Sequence, residues 1–491
     1  MQLVSKGVEN IYLTDDPQVT FFKIVYRRHT NFSVESIPQY FNTTPNFSTK
    51  VSCLVSKNGD LINRIYLVAT LPSITTLSND IVVRWVNYIG YAIINYIELE
   101  IGGQIIETLY SDWLYIQNEL KKDNNNRGLD VMLGNVQELI RYDNSKNSYL
   151  LYIPLPFWFC RYVHSSLPII ALQHSDVKIN IEFSNINNCI ITGPTHYIYI
   201  NDSICLFKPY EFILVNNSNY IVFVNFNPNT YQMGYIKADP NAVLNINSTL
   251  VGIESNYQTT VYDPSTGVFS SILSNKEILH LTKSNTEFRE LYNLSLTDAF
   301  LYVDYVYLDN MERYKFARTN HEYLIDVCQF DNDKIIYNST NKIKIGYSFP
   351  TKELIIRAKF NYMTNTFYND LFNYTTSLNN IVAKSLIKKI LIKLNGFNRE
   401  IDYDKNFYTY VQGFQHHNSI PPNGVFLYSF AISPFDFQPS GSANLSKIDD
   451  ISIDITVEPI SYSNPASIRV YTFSYNILRI LDGVAALAFY N

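Results

Sequence analysis

The sequence predicts an all-β chain built from two similar halves, and three observations lead there. Of the 491 residues, 40 are Tyr and 30 are Phe, a composition that suits pleated, half-buried strands better than helices. Runs with period-two alternation recur along the chain, whereas helical spacing is confined to a few short stretches. Finally, the chain contains a copy of itself: IELEIGGQIIE at 97–107 returns as ILIKLNGFNRE at 390–400.

In both copies branched aliphatics fall at every second position, which puts them on one face of a strand, and both then turn at glycine. Laying Gly103 on Gly396 sets an offset of 293, which also brings Glu107 onto Glu400, Tyr110 onto Tyr403 and Tyr115 onto Tyr408. The same offset places Asp60, Leu61, Ile62 and Arg64 on Glu353, Leu354, Ile355 and Arg357. Further on, SDVKINIEF at 175–183 meets DDISIDITV at 449–457 with an offset of 274. YLLYIPLPF at 149–157 pairs with VFLYSFAIS at 425–433, and LYVDYVYLD at 301–309 meets IRVYTFSYN at 468–476 with an offset of 167.

The shrinking offset places an insertion in the first half, at about 184–299, rich in Asn, Ser and Tyr with turn signals NPNT, DPNA and YDPSTG. It reads as a decorated loop region with short strands of its own, since surface connections tolerate added length and paired strands do not. About eight strand-like runs per half suggest a jelly roll more than an immunoglobulin sandwich. Residues 110–128 place Trp113, Ile116, Gln117 and Leu120 at helical spacing, with Ser111 or Asp112 as N-cap. NMERYKFARTNHEYLID at 310–326 reads as a helical linker. The expected organisation is an N-terminal segment 1–20, a first barrel 21–319 and a second barrel 320–491.

Composition excludes several functions. Net charge is −6 and no Lys or Arg tract is present, so the electrostatic footprint of direct nucleic-acid binding is absent. Cys53, Cys160, Cys189, Cys205 and Cys328 are odd in number and never form C-x-x-C, which argues against a disulfide framework or zinc knuckle and for a reducing compartment. The start MQLVSKGVENIYLTDD lacks a signal-peptide core, and the apolar tail carries Arg479 and Asp482 and is short for a bilayer. The expectation is a soluble chain made in the cytosol.

Chemical motifs are equally sparse. No Gly-rich phosphate loop, G-x-S-x-G or H-E-x-x-H occurs. Ser385 to Lys388 fits S-x-x-K but precedes an alternating strand, so it reads as coincidence. Adjacent His416 and His417 read as a polar loop, and Asp449 with Asp450 as the start of a strand. Arg27 and Arg28 match carboxylates or phosphate geometrically and read first as a salt bridge, solvated or between subunits. Glycosylation sequons fall at ten Asn residues, Asn201, Asn216, Asn247 and Asn293 among them, in a chain rich enough in Asn, Ser and Thr to produce them by chance.

The blocks DDPQVTFFKIVYRRHTNFSVES, GDLINRIYLVATLP, IELEIGGQIIETLYSDWLYIQNEL, DYVYLDNMERYKFARTNHEYLI, SFAISPFDFQPSGSANLSKIDD and YNILRILDGVAALAF are similar to the major capsid proteins of nucleocytoplasmic large DNA viruses. They follow the family's order over nearly the whole chain. The resemblance implies a double jelly roll: two tandem eight-stranded β-sandwich barrels with a few short helices and long decorated loops. It implies a structural protein without catalytic residues, cofactor or metal. Its homotrimer would set six barrels in a pseudo-hexagonal block that tiles an icosahedral shell. Neighbouring capsomers and minor capsid proteins are the implied partners, with an internal membrane reached only through other proteins. The implied location is the virion, after synthesis in the host cytoplasm. On this reading Gly102, Gly103 and Gly396 serve turns, Arg64 and Arg357 are equivalent positions, and Arg27, Arg28, Glu312 and Arg313 are candidate contacts between barrels or subunits. The competing readings are a minor capsid or scaffold paralogue, a tandem carbohydrate-binding β-sandwich, and a glycoside hydrolase with two facing carboxylates.

Overall fold

A computed structural model describes residues 29–489 apart from 77–81, 123–126, 195, 203, 209, 229–230, 238–241, 263–277, 280–292, 331, 365–368, 377–383, 400–403, 461 and 463–464. The first half supplies eight barrel strands: β1 Phe32–Gln39, β2 Lys50–Leu54, β3 Leu61–Leu71, β4 Ile94–Ile101, β5 Gln104–Tyr110, β6 Tyr149–Pro154, β7 Val177–Phe183 and β8 Asp298–Leu308. They form two four-stranded antiparallel sheets, in the orders β1-β8-β3-β6 and β2-β7-β4-β5.

The second half repeats this plan with β9 His321–Phe330, β10 Thr340–Ile345, β11 Pro350–Phe360, β12 Ile387–Leu394, β13 Phe397–Asn398, β14 Val425–Ser429, β15 Ile451–Val457 and β16 Ala466–Leu481. Its sheets run β9-β16-β11-β14 and β10-β15-β12-β13. Adding eight to each label of the first half gives the order of the second. This is a double jelly roll.

The quoted repeat is one hairpin made twice. In β4, Ile97, Leu99 and Ile101 are fully buried, while Glu98 and Glu100 face outward to Lys50 and Lys178. Ile101 pairs with Gln104 across Gly102 and Gly103, whose φ values are +59° and +84°. Leu394 pairs with Phe397 across Asn395 and Gly396, at +50° and +78°. Two consecutive left-handed residues make the tight turn whose twist suits a hairpin, and Gly or Asn reaches that conformation at low cost.

Cross-strand pairing also tests the offsets. Leu99 and Ile392 face Ile179 and Ile453, so 293 and 274 both hold. The last strands differ: Leu67 faces Leu301 whereas Phe360 faces Ala466, an offset of 165 instead of 167. The slip of two keeps each residue on its face, which is why alternation alone did not reveal it. The match of 149–157 to 425–433 fails, because Leu151 faces Ala69 in the first core while Leu427 faces Ile355 on the outer side.

The insertion is more ordered than a decorated loop. It carries a seven-stranded sheet that includes Phe212–Val215, Asn219–Asn227 and Gln232–Lys237, closed over its own cluster of Ile213, Ile221, Met233, Tyr235 and Leu250. Helix α1, Ser111–Lys121, follows β5, and neither Ser111 nor Asp112 caps it, since Tyr110 occupies that position without a side-chain bond. Helix α2, Asn310–Arg318, is capped by the Asp309 carboxylate and gives way to β9 at His321. Helix α3 spans 405–416, with a π turn at Phe407–Val411.

Candidate assembly interface

The strongest concentration of buried charge lies where the two barrels meet. In β11, Leu354, Ile356 and Ala358 point into the second barrel's core, so the alternate residues Glu353, Ile355, Arg357 and Lys359 face out. They are nevertheless buried, because α1 and β5 of the first barrel cover this sheet face. Ile355, Val425, Leu427, Tyr471 and Phe473 join the first barrel's core cluster. Trp113 of α1 sits at 5.5 Å from both the Tyr471 and Phe473 rings, and Tyr115 stacks on Phe372 at 4.6 Å.

Two ionic networks flank this apolar centre. In one, Asp112 lies 2.8 Å from Arg357 and 3.7 Å from Lys359, and Arg357 and Arg469 reach Asp333 at 2.9 Å and 2.6 Å. Burial alone pushes the Asp112 carboxyl up, but the Lys359, Arg357 and Arg469 charges outweigh it and hold the group at about 2. In the other, Arg161 bridges Glu107 and Asp326 at 2.9 Å each, and Lys352 reaches Asp326 at 2.6 Å. The Trp158 amide donates to Glu107 at 3.1 Å. Burial pushes Glu107 up to about 7 despite Arg161, and lowers Lys352 to about 8. The Lys352 ammonium also lies 3.9 Å from the Phe473 ring centroid.

Desolvating so many charges contributes little net stability, yet removing one member strands its partner in a dry site. The networks therefore fix how the barrels are set against each other. A third contact has the same effect: the buried Asn369 amide donates to the carbonyls of Asn187 and Ile190 in the first half.

A cleft of ≈ 390 Å³ is lined by Lys121, Tyr162, His416, His417, Phe435 and Asp436. His417 is no part of a polar loop: its side chain is fully buried and bonds Glu353 at 2.7 Å. His416 ends α3 and donates to the Ile432 carbonyl at 2.8 Å. Among the described residues, no three His, Cys, Asp or Glu are placed to hold a metal. No described helix is long and apolar enough to cross a membrane.

The residues singled out from sequence are scattered around this interface. Arg357 lies inside it, whereas its repeat partner Arg64 is exposed on the outward face of the first barrel's β1-β8-β3-β6 sheet, opposite Asp304 on the neighbouring strand. Arg313 reaches Asp60 at 3.0 Å, and Glu312 is half-buried beside it. Arg27 and Arg28 lie outside the described residues. Asn201, Asn216, Asn247 and Asn293 are all exposed, and Asn216 and Asn247 occupy left-handed turns of the insert. Ser385 donates to the Ile387 carbonyl and Lys388 pairs with Glu458, so no S-x-x-K chemistry is assembled.

Comparison with known sequences decides what kind of protein carries this architecture. Residues 20–223 match the family described as major capsid protein N-terminus, and residues 312–486 match the large eukaryotic DNA virus major capsid protein. A probable capsid protein of Acanthamoeba polyphaga mimivirus is 37% identical over the whole chain and 98% of its own length. The chain belongs to the major capsid proteins of large eukaryotic DNA viruses. The major capsid protein of Pyramimonas orientalis virus is 31% identical, covering 100% of this chain and 99% of its own.

Solved capsid structures share the family's fold at lower identity. The Faustovirus major capsid protein superposes with a TM-score of 0.67 at 11% identity, over 97% of this chain and 95% of its own. The PBCV-1 capsid protein gives 0.62 at 24%, over 96% and 100%. Sequence reading of this capsid protein missed Glu107, Asp112, Arg161, Asp326 and Lys352 as a group. Glu107, Asp326 and Lys352 lie on strands and Asp112 and Arg161 on short helices, where a charged side chain reads as the wet face, and only the meeting of the two barrels removes the solvent.

Proposed function

We propose that this capsid protein is a shell building block that acts as a homotrimer, six barrels forming a pseudo-hexagonal capsomer that packs with its neighbours and with minor capsid proteins. The observation that carries the reading is the repetition of one strand order in two barrels locked by a buried junction. Two similar barrels per chain let three chains present six similar sides, so hexagonal packing needs only threefold symmetry. The role is structural, exercised in the virion after synthesis in the host cytoplasm, and any internal membrane is reached through other proteins. The seven-stranded insert is an outward decoration, in keeping with its independent core.

Native mass spectrometry of the purified chain, followed by negative-stain imaging, tests this. Three chain masses and a hexagonal outline are expected. A monomer at every concentration contradicts it. A second reading, a less abundant paralogue in the same shell, is favoured by one observation: identity is 37% to mimivirus probable capsid protein 4 but 28% to capsid protein 1 of the same virus. Copy number per virion separates the two.

A further inference from the structure

Among the lysine–carboxylate pairs of the described residues, Lys352 with Asp326 stands apart. Lys393 and Asp454 approach equally closely, at 2.6 Å, but their side chains are 27% and 29% exposed, so water screens both charges. The Lys352 side chain is 0% exposed and that of Asp326 14%. The Phe473 and Tyr475 rings enclose the ammonium, with centroids 3.9 Å and 4.6 Å away.

The backbone aims the lysine at this acid. Strand β16 runs between β9, which carries Asp326, and β11, which carries Lys352. Thr351 pairs with Ser474 and Glu353 with Phe473, which leaves Lys352 as the extra residue of a bulge, and a bulge re-aims its side chain. Lys352 therefore reaches over β16 to the strand beyond.

The two carboxylate oxygens of Asp326 have different neighbours: Oδ1 meets Lys352 Nζ at 2.6 Å and Oδ2 meets Arg161 Nη1 at 2.9 Å. Arg161 is itself held by Glu107 at 2.9 Å and by the Pro156 carbonyl at 3.0 Å. The carboxyl thus has an amine nucleophile on one side and a fixed donor for an oxyanion on the other. Burial lowers the Lys352 amine to about 8, which brings the uncharged nucleophile within reach at neutral pH.

We propose that Lys352 and Asp326 condense into an isopeptide bond that ties β9 to β11 across β16. The ammonium passes a proton to the carboxylate across their contact, and Nζ then attacks Cγ while Arg161 holds the oxyanion at Oδ2. Oδ1 leaves as water, both of whose hydrogens come from the ammonium. Oδ2 remains as the amide oxygen, one hydrogen stays on Nζ, and no further reactant is consumed.

Groups held in contact in a dry site react at effective concentrations that no free pair reaches. The bond also cancels two buried charges whose desolvation is costly, and leaves Arg161 paired with Glu107. All five cysteines are free, so this amide supplies the covalent tie that a disulfide would otherwise give, closing a loop and restricting the unfolded chain. The bond lies within one chain and is independent of the trimeric reading.

Intact-mass spectrometry of the denatured full chain, with peptide mapping, tests the bond. The parent is expected one water lighter than its sequence, with a branched peptide joining Asp326 to Lys352 and none joining Asp454 to Lys393. Lys352→Arg, which keeps the positive charge, is expected at its full sequence mass. A parent at full sequence mass after the folded chain has been incubated at pH 8 overturns the bond, whatever the variant does. A loss of water that persists in Lys352→Arg overturns it as well.

Discussion

Asp112 and Arg357 meet at 2.8 Å across the barrel junction, the carboxylate at the start of a first-barrel helix and the guanidinium on a second-barrel strand. The pair is dry, with Arg357 1% exposed. Asp112→Ala is expected to cost about 3–5 kcal/mol, because Arg357 and Lys359 would keep their charge in a buried site without the acid. Urea unfolding of the two proteins side by side measures this, and a loss below about 1 kcal/mol, the size of a surface pair, contradicts the account.

The same carboxyl sets an acid limit. Its folded value of about 2 lies below the ordinary 3.8, so its contribution is complete above 3.8 and is lost as pH falls through about 2. The shift corresponds to about 2 kcal/mol. Glu107 runs the other way: raised from 4.5 to about 7, it favours folding most below 4.5 and loses that advantage as pH rises through 7. Melting curves from pH 5 to 2 should therefore fall more steeply for the parent than for Asp112→Asn, with parallel curves as the adverse outcome.

Trp113 is fully buried between Tyr471 and Phe473, where it couples the two barrels. Trp113→Ala should cost about 3–5 kcal/mol and split one unfolding transition into two, since each barrel keeps its own core. Differential scanning calorimetry resolves this. A single undiminished transition would show that the barrels are coupled elsewhere.

Two glycines separate backbone strain from packing. A Cβ on Gly103, at φ +84°, meets nothing within 4 Å, whereas on Gly424, at φ +94°, it falls 2.0 Å from the Tyr374 carbonyl oxygen. Gly103→Ala should cost about 1–2 kcal/mol from the left-handed conformation alone. Gly424→Ala should cost clearly more, and thermal melts giving equal losses would refute the packing argument.

The legible parts of this fold were those governed by period and by turn chemistry. Ile97, Leu99 and Ile101 alternate because one face is dry, and Gly102, Gly103 and Gly396 mark turns that few other residues make. What stayed illegible depends on a second surface arriving. Glu353, Arg357 and Lys359 look like the wet side of a strand until the first barrel covers them, and His417 looks like a loop residue until Glu353 meets it. Strand register was lost where alternation is its own repeat: a slip of two in β16 changes no face. The mismatch of Leu151 with Leu427 arose because similar aliphatic strings serve an inner face in one barrel and a covered outer face in the other.

The central claim is that each chain brings two barrels of one plan, locked by a buried junction, to the building block of the shell. A cryo-electron microscopy reconstruction of the assembled particle tests it most directly. The account predicts blocks in which every chain contributes both barrels side by side, with Asp112 and Arg357 within ion-pair distance and Trp113 buried between Tyr471 and Phe473. A particle in which the two barrels of one chain are parted and Trp113 faces solvent would contradict it.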